Sequence, residues 1–282
     1  MRFWNLLLLS LAGTVTAAQQ IKPGKYYDRI VIVVMENQDY NDVEADSYYS
    51  TIAENHNGVL LTNFFAVTHP SQPNYIAMIS GSTKGVNLDW DSNISRKSIV
   101  DLLEAKGISW KSYQEEYPGG CNTKSSINTY RRKHNPFISF KNIANDEARC
   151  AKIVPATELD KDIENNTVPQ FVFFTPDINN DGHDTTLKYS SDWMKSYFEP
   201  RIGKSGLNNN TLFILTWDEN KTWVIKPNQV YTVLFGPAVN RTSSTDDTKY
   251  NHYSILKSIE ENWDLGDLGE HDVDATPLII KD

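Results

Sequence analysis

The chain has 282 residues, 39% hydrophobic and 22% charged, and its 36 acidic against 27 basic side chains give a formal net charge of −9. That length suits one α/β domain rather than a string of modules. Such an acidic balance argues against a nucleic-acid partner held by its phosphates, although charge inside a pocket can differ in sign from the distant average.

The chain opens MRFWNLLLLSLAGTVTAAQQ, with a positive charge at Arg2, an apolar run from Leu6 to Leu11 and small residues up to Ala18. This three-part pattern predicts a signal peptide over residues 1–18, too short in its apolar part to span a bilayer. The expectation is a secreted protein whose single catalytic domain covers residues 19–282. No later run is apolar enough for a membrane, and charged Lys281 and Asp282 at the end predict no lipid-anchor tail.

Five apolar, β-branched runs follow at 29–36, 59–68, 170–176, 211–218 and 230–237. Their unbroken rather than alternating character predicts strands buried on both faces. Helical patterns lie at 98–107, 187–198 and 253–263, and another starts near Pro73. Strands alternating with helices predict an α/β fold: a mostly parallel sheet with helices on both faces. Residues 111–165 are polar and loop-like and read as a cap-like insertion. They contain both cysteines, Cys121 and Cys150, which in an oxidising compartment are expected to pair. Sequons at Asn93, Asn165, Asn209, Asn220 and Asn240 predict N-glycans on surface loops, with Asn220 the poorest acceptor because it adjoins an acidic pair.

Ligands of parallel α/β sheets bind at the carboxyl ends of the strands. Here those ends carry Glu36-Asn37, Thr68-His69-Pro70-Ser71, Asp177 through His183, and Asp218-Glu219, with His252 just before a helix. A lone carboxylate there is usually a helix cap. Several carboxylates with histidines and one serine form a set of metal donors, and close carboxylates need a cation to offset their repulsion. A metal ion can also activate a serine as nucleophile. Ser71, at a turn leading into a helix, is the candidate.

The motifs "VVMENQDY", "THPSQPNY", "RKHNPF", "NNDGHDTT", "TWDEN" and "YNHYSIL" span residues 31–256 and resemble the phosphoesterase family of the alkaline-phosphatase superfamily. That family holds fungal secreted acid phosphatases and bacterial phospholipases C. The resemblance implies an alkaline-phosphatase-like fold, one or two divalent metal ions, and Ser71 as nucleophile. It places Asn74 on a phosphate oxygen, and Glu36, Asn37, Asp218, Glu219 and His252 among the metal ligands. Asn180, Asp181 and His183 match the family's Asn-Asp-x-His block, which favours Asp181 over Asp177 as the partner of His183. Lys133 or His134 falls where a phosphate contact is expected. His69 has two readings, phosphate contact or orienting group.

The implied function is a secreted metal-dependent acid phosphatase, taking small phosphate monoesters through a Ser71 phospho-enzyme. A carboxylate at Glu219, where many relatives carry histidine, predicts a turnover optimum below neutrality. The alternatives are a phosphodiesterase or phospholipase C acting on diesters, and a non-catalytic metal- or phosphate-binding secreted protein.

Overall fold

The computed structural model of the protein describes residues 21–282, so the signal-peptide reading of residues 1–18 lies outside the described residues. The strands in chain order are β1 (Arg29–Met35), β2 (Val59–Leu61), β3 (Phe64–Phe65), β4 (Trp110–Gln114), β5 (Ser126–Ile127), β6 (Tyr130–Arg131), β7 (Ile153–Pro155), β8 (Phe171–Thr175), β9 (Thr211–Trp217), β10 (Thr232–Phe235), β11 (Thr245–Asp246) and β12 (Tyr250–Asn251). Eight of them form one sheet in the order β11-β2-β10-β9-β1-β8-β4-β7. β10 runs against β9 and β2; every other pair in the sheet is parallel.

β1, β8 and β9 are buried along their whole length, so both faces of the sheet centre are covered. Each valine, isoleucine, leucine or phenylalanine there contributes about 1.5–3 kcal/mol by leaving water. Continuous apolar runs are what such a position demands, which is why these three strands are plain in the sequence. The run at 59–68 differs from expectation. A turn at Thr62-Asn63 splits it into β2 and β3, and β3 leaves the main sheet to pair with β12.

The cap-like insertion expected over 111–165 is corrected in extent. Its ends supply β4 and β7 to the main sheet, leaving residues 115–152 outside it. β4 was hidden because it buries polar side chains in a hydrogen-bonded ladder: the Gln114 amide donates to Ser112 Oγ at 2.8 Å and Thr175 Oγ1 at 3.0 Å. Buried polar groups that are paired carry little penalty, yet they erase the apolar signature of a strand.

The Ser71–Ser80 helix packs against the His252–Trp263 helix. It stops at Gly81, whose φ of 69° is the left-handed cap that glycine adopts without strain. The helix at Ile99–Ala105 begins with Ser98 N–H donating to Asp101 at 2.9 Å. The pattern at 187–198 becomes an α-helix over Leu187–Trp193 followed by a π turn over Met194–Phe198. Among the described residues no helix is long and apolar enough to cross a membrane.

Cys121 and Cys150 are joined, closing a loop of sequence separation 29. Loop closure of that length stabilises by about 3–4 kcal/mol in the chain-entropy model. Replacing both cysteines by alanine should lower Tm by on the order of 10 °C, read by calorimetry; an unchanged Tm would show that the link adds nothing.

Glu260, in the His252–Trp263 helix, is buried with neither carboxylate oxygen hydrogen-bonded. Burial, then the neighbouring Asp272, push its carboxyl up from 4.5 to about 9. The folded state therefore holds a proton that the unfolded chain releases, so stability is fully present below pH 4.5 and declines as pH rises toward 9. Tm should fall between pH 5 and pH 8, and Glu260→Gln should flatten that slope and raise Tm at pH 8 by several degrees.

Candidate active site

Parallel pairing dictates the first contact. β1 and β9 run in register to Met35 opposite Trp217, so the next residues, Glu36 and Asp218, leave the sheet side by side. Backbone bonds extend the grouping: Asp218 N–H donates to Met35 O, and Glu36 N–H donates to Asp181 O, both at 3.1 Å. Glu36, Asp181 and Asp218 are completely buried. Burial first, then the charge of Glu36, push the Asp181 and Asp218 carboxyls well above the usual range. Burial also raises Glu36, and it raises Glu219 to about 8 with Glu36 the next cause. Asn37 adopts φ 26°, which turns its carboxamide back to donate to Glu36 Oε2 and Asp218 Oδ1, both at 3.0 Å.

Ser71 begins its helix, with Pro70 as the residue before it. Pro73 in the first turn costs nothing, because the N–H it lacks has no helical acceptor. Ser71 Oγ lies 3.0 Å from Glu36 Oε2 and 3.2 Å from Glu219 Oε1, and its one hydrogen can serve either carboxylate. Asn74 fixes this turn. Its Oδ1 accepts from Val67 N and Thr68 N at 3.0 Å each, and its Nδ2 donates to Thr68 O at 2.8 Å and Pro70 O at 3.3 Å. Expected on a phosphate oxygen, Asn74 instead has both ends of its amide engaged in the loop that presents Ser71. His69 Nδ1 pairs with Glu219 Oε2, which is the orienting reading of that residue.

Glu36, His134 and Asp181 each offer a ligand atom, and these lie within 4.8 Å of one another. His134 Nε2 is 3.2 Å from Glu36 Oε1 and its Nδ1 is 3.3 Å from Asp181 Oδ2. Burial, then Lys133 and His183, hold the imidazole well below its usual range, so it is neutral. A neutral ring has one N–H and cannot satisfy two carboxylates. Glu36 Oε1, His134 Nε2, Asp181 Oδ2 and Asp218 Oδ2 are all buried without a hydrogen-bond partner. Carboxylate and imidazole lone pairs converging in a dry site are a donor set that fits a divalent cation.

The remaining candidates surround this centre. Asp177 does not enter it: its Oδ1 accepts from Asn179 N and Asn180 N at 2.9 Å each, and its Oδ2 from Thr129 at 2.7 Å. It shapes the turn that delivers Asp181, and Gly182 (φ 99°) lets His183 N–H close on Asp181 Oδ1 at 2.8 Å. The His183 ring sits at the rim, with Nδ1 on Asp184 at 2.7 Å and Nε2 3.4 Å from Lys133 Nζ. Burial opposes the charge of Lys133, but Glu36 and Asp89 outweigh it, so the ammonium stays protonated. His252 is buried behind Asp218, where its Nε2 lies 2.6 Å from the Asp218 carbonyl and its Nδ1 has no partner. It is not among the three residues whose ligand atoms lie within 4.8 Å of one another.

Two further residues carry weight here without having been read from the sequence. Asp89 accepts from Gln72 N–H at 2.9 Å and from Lys133 Nζ at 2.9 Å. Glu115, pushed up to about 7 by burial, accepts from Asp177 N at 3.0 Å and Asn180 Nδ2 at 2.7 Å. Glu115 follows β4, so recognising that strand would have placed it at a strand end; Asp89 gives no local signal. Of the sequons, Asn220 is buried, with its amide 3.4 Å from Asp39, whereas Asn93, Asn165, Asn209 and Asn240 are exposed.

If Glu36, His134 and Asp181 form the cation site, His134→Ala and Asp181→Asn should each weaken divalent-metal binding by about tenfold or more, while Asp177→Asn keeps it. Calorimetric titration of zinc or manganese into the purified proteins checks this; wild-type affinity in both variants would place the cation elsewhere.

A model of the phosphoesterase family matches residues 44–266. The chain is 41% identical to a probable acid phosphatase of Kluyveromyces lactis over 91% of this chain and 63% of that protein. It is 37% identical to an acid phosphatase of Aspergillus fumigatus over 96% of this chain and 64% of that one. It thus spans under two thirds of the length of these relatives. In structure it resembles a protein in the alkaline phosphatase superfamily from Vibrio parahaemolyticus, with TM-score 0.58 at 14% identity over 92% of this chain and 72% of that chain. The match across most of the chain, together with a strand-end carboxylate site facing one helix-borne serine, makes this protein a member of the phosphoesterase family.

Proposed function

We propose that this protein is a secreted, metal-dependent acid phosphatase that hydrolyses phosphate monoesters through a phosphoserine at Ser71. The observation that carries the reading is the Ser71 hydroxyl at a helix N-terminus between Glu36 and Glu219. The acid phosphatases among its relatives support the same reaction class. Four exposed sequons are the proposed glycan sites.

A divalent cation held by Glu36, His134 and Asp181 would neutralise the buried carboxylates and draw charge from the phosphate oxygens. The chain's own groups do the rest. Lys133 supplies a fixed positive charge at the rim for the dianionic ester. Gln72 gives its N–H to Asp89 and Pro73 has none, so the helix N-terminus offers an anion the Ser71 N–H. Glu219, kept ionised by Lys133 and by a cation offsetting the charge of Glu36, takes the Ser71 proton as Oγ bonds to phosphorus and passes it to the ester oxygen as the alcohol leaves. Water then attacks phosphorus: its hydroxyl stays on the phosphate, the Oγ–P bond breaks, and the other proton returns to Oγ. His69 keeps Glu219 aimed at Ser71 throughout.

Ser71→Ala should cut turnover of p-nitrophenyl phosphate by on the order of a thousandfold or more with bound metal retained. Acid quench of the wild type on a phosphorus-labelled monoester should trap label on Ser71, and turnover should be faster at pH 5 than at pH 8. Wild-type-like turnover by the mutant overturns the mechanism. Faster cleavage of bis-p-nitrophenyl phosphate than of the monoester moves the protein to the diesterase reading.

A further inference from the structure

Among the described residues, nine large hydrophobic side chains are exposed, and five of them sit on two loops: Leu88 (52%) and Trp90 (51%), and Trp223 (61%), Val224 (86%) and Ile225 (81%). Both loops border the residue 69–72 turn. Asp89, between Leu88 and Trp90, accepts the Gln72 N–H, and Trp90 N–H donates to Gln72 Oε1 at 3.3 Å. On the other side the Trp223 ring lies 5.1 Å from the ring of His69, the residue paired with Glu219. Single exposed apolar residues need no explanation; a concentration on both sides of one nucleophile does.

The second loop is built to display its tip. Asp39 accepts from Thr222 N at 2.8 Å, Thr222 Oγ1 at 2.6 Å and Lys226 Nζ at 2.6 Å, while Lys226 N–H closes on Thr222 O at 3.2 Å. One carboxylate thus clamps both ends of the turn, and residues 223–225 project between them. Lys226 is occupied by that clamp and exposed Lys221 precedes Thr222 outside the tip, so residues 223–225 themselves present apolar surface. A polar or charged leaving group gains nothing from such a wall; a hydrocarbon or aryl group does.

We propose that Trp223 and Trp90, with Leu88, Val224 and Ile225, form a leaving-group platform that selects phosphate monoesters of extended apolar alcohols, aryl or long-chain alkyl. This rests on the phosphomonoesterase reading of Ser71 and names its substrate class. Trp223 is the specificity-determining residue, because it joins the platform to the catalytic turn.

The test compares octyl phosphate, kept below its micelle concentration, with ethyl phosphate, reading released inorganic phosphate. Wild type should favour the octyl ester in kcat/KM by about tenfold or more. Trp223→Ala should cut that preference by about fivefold or more, Trp223→Phe should restore most of it, and Trp90→Ala should reduce it from the opposite loop. Equal kcat/KM for the two esters in wild type, or a preference unchanged in both alanine variants, overturns the platform. A chain-length gain that appears only above the micelle concentration overturns it in favour of docking at a lipid interface. Calorimetric binding of octylphosphonate against ethylphosphonate separates this proposal from the one beneath it. If neither ester turns over, the phosphatase reading fails, while tighter octylphosphonate binding that is lost in Trp223→Ala still upholds the platform and equal binding ends it.

Discussion

Two carboxylates forced together by strand register govern this molecule. β1 and β9 are locked side by side by parallel pairing, and the residue after each strand is an acid, Glu36 and Asp218, in a dry interior. Two full charges about 5 Å apart at an effective dielectric of about 20 repel by about 3 kcal/mol. Asp181 adds a third acid through its backbone bond to Glu36. A fold of ordinary stability does not keep such a cluster unless something compensates, and the neighbours divide that task. Asn37 bridges two of the acids, Lys133 brings a cation to the rim, and His134 contributes a neutral imidazole rather than a further anion beside Glu36 and Asp181.

The same economy explains how Ser71 is placed. The loop before its helix is tied by two asparagines, Asn74 from within the helix and Asn228, whose amide donates to Thr68 O at 2.8 Å. Asn74 reaches back across its own first turn to bind four backbone positions, so the loop and helix move as one body. Ser71 is thus fixed relative to the sheet by its contacts with Glu36 and Glu219. Positioning and chemistry share residues, and substitutions here act on both.

How much of this was legible follows from where each signal resides. The β1, β8 and β9 runs announce themselves because a strand buried on both faces must be apolar throughout, and the polar clusters after them mark the site. The family resemblance favoured Asp181 over Asp177 as the partner of His183; that Asp181 also lies beside His134 and Glu36 is a contact between distant segments. The polar edge was not readable: β4 buries Ser112 and Gln114, so its pattern imitates a loop, and the cap was drawn too large. His134 beside Glu36, Asn74 turned into its own loop, and His252 behind Asp218 depend on contacts between distant segments. Residue type showed that these were donors, but not toward what.

The backbone at Asn37 sets a narrow rule for how this chain can vary. Its φ of 26° is comfortable for glycine, asparagine and aspartate, and poor for most other side chains. Glycine there would keep the path but leave Glu36 and Asp218 unbridged. Aspartate would keep the path and add another negative charge, and glutamine would supply the amide but resist the dihedral. Asparagine alone meets both demands, so drift at position 37 would rewrite the charge balance of the site before disturbing the fold. A chain with the same sheet and a different residue there has to offset the repulsion between its two strand-end acids by another route.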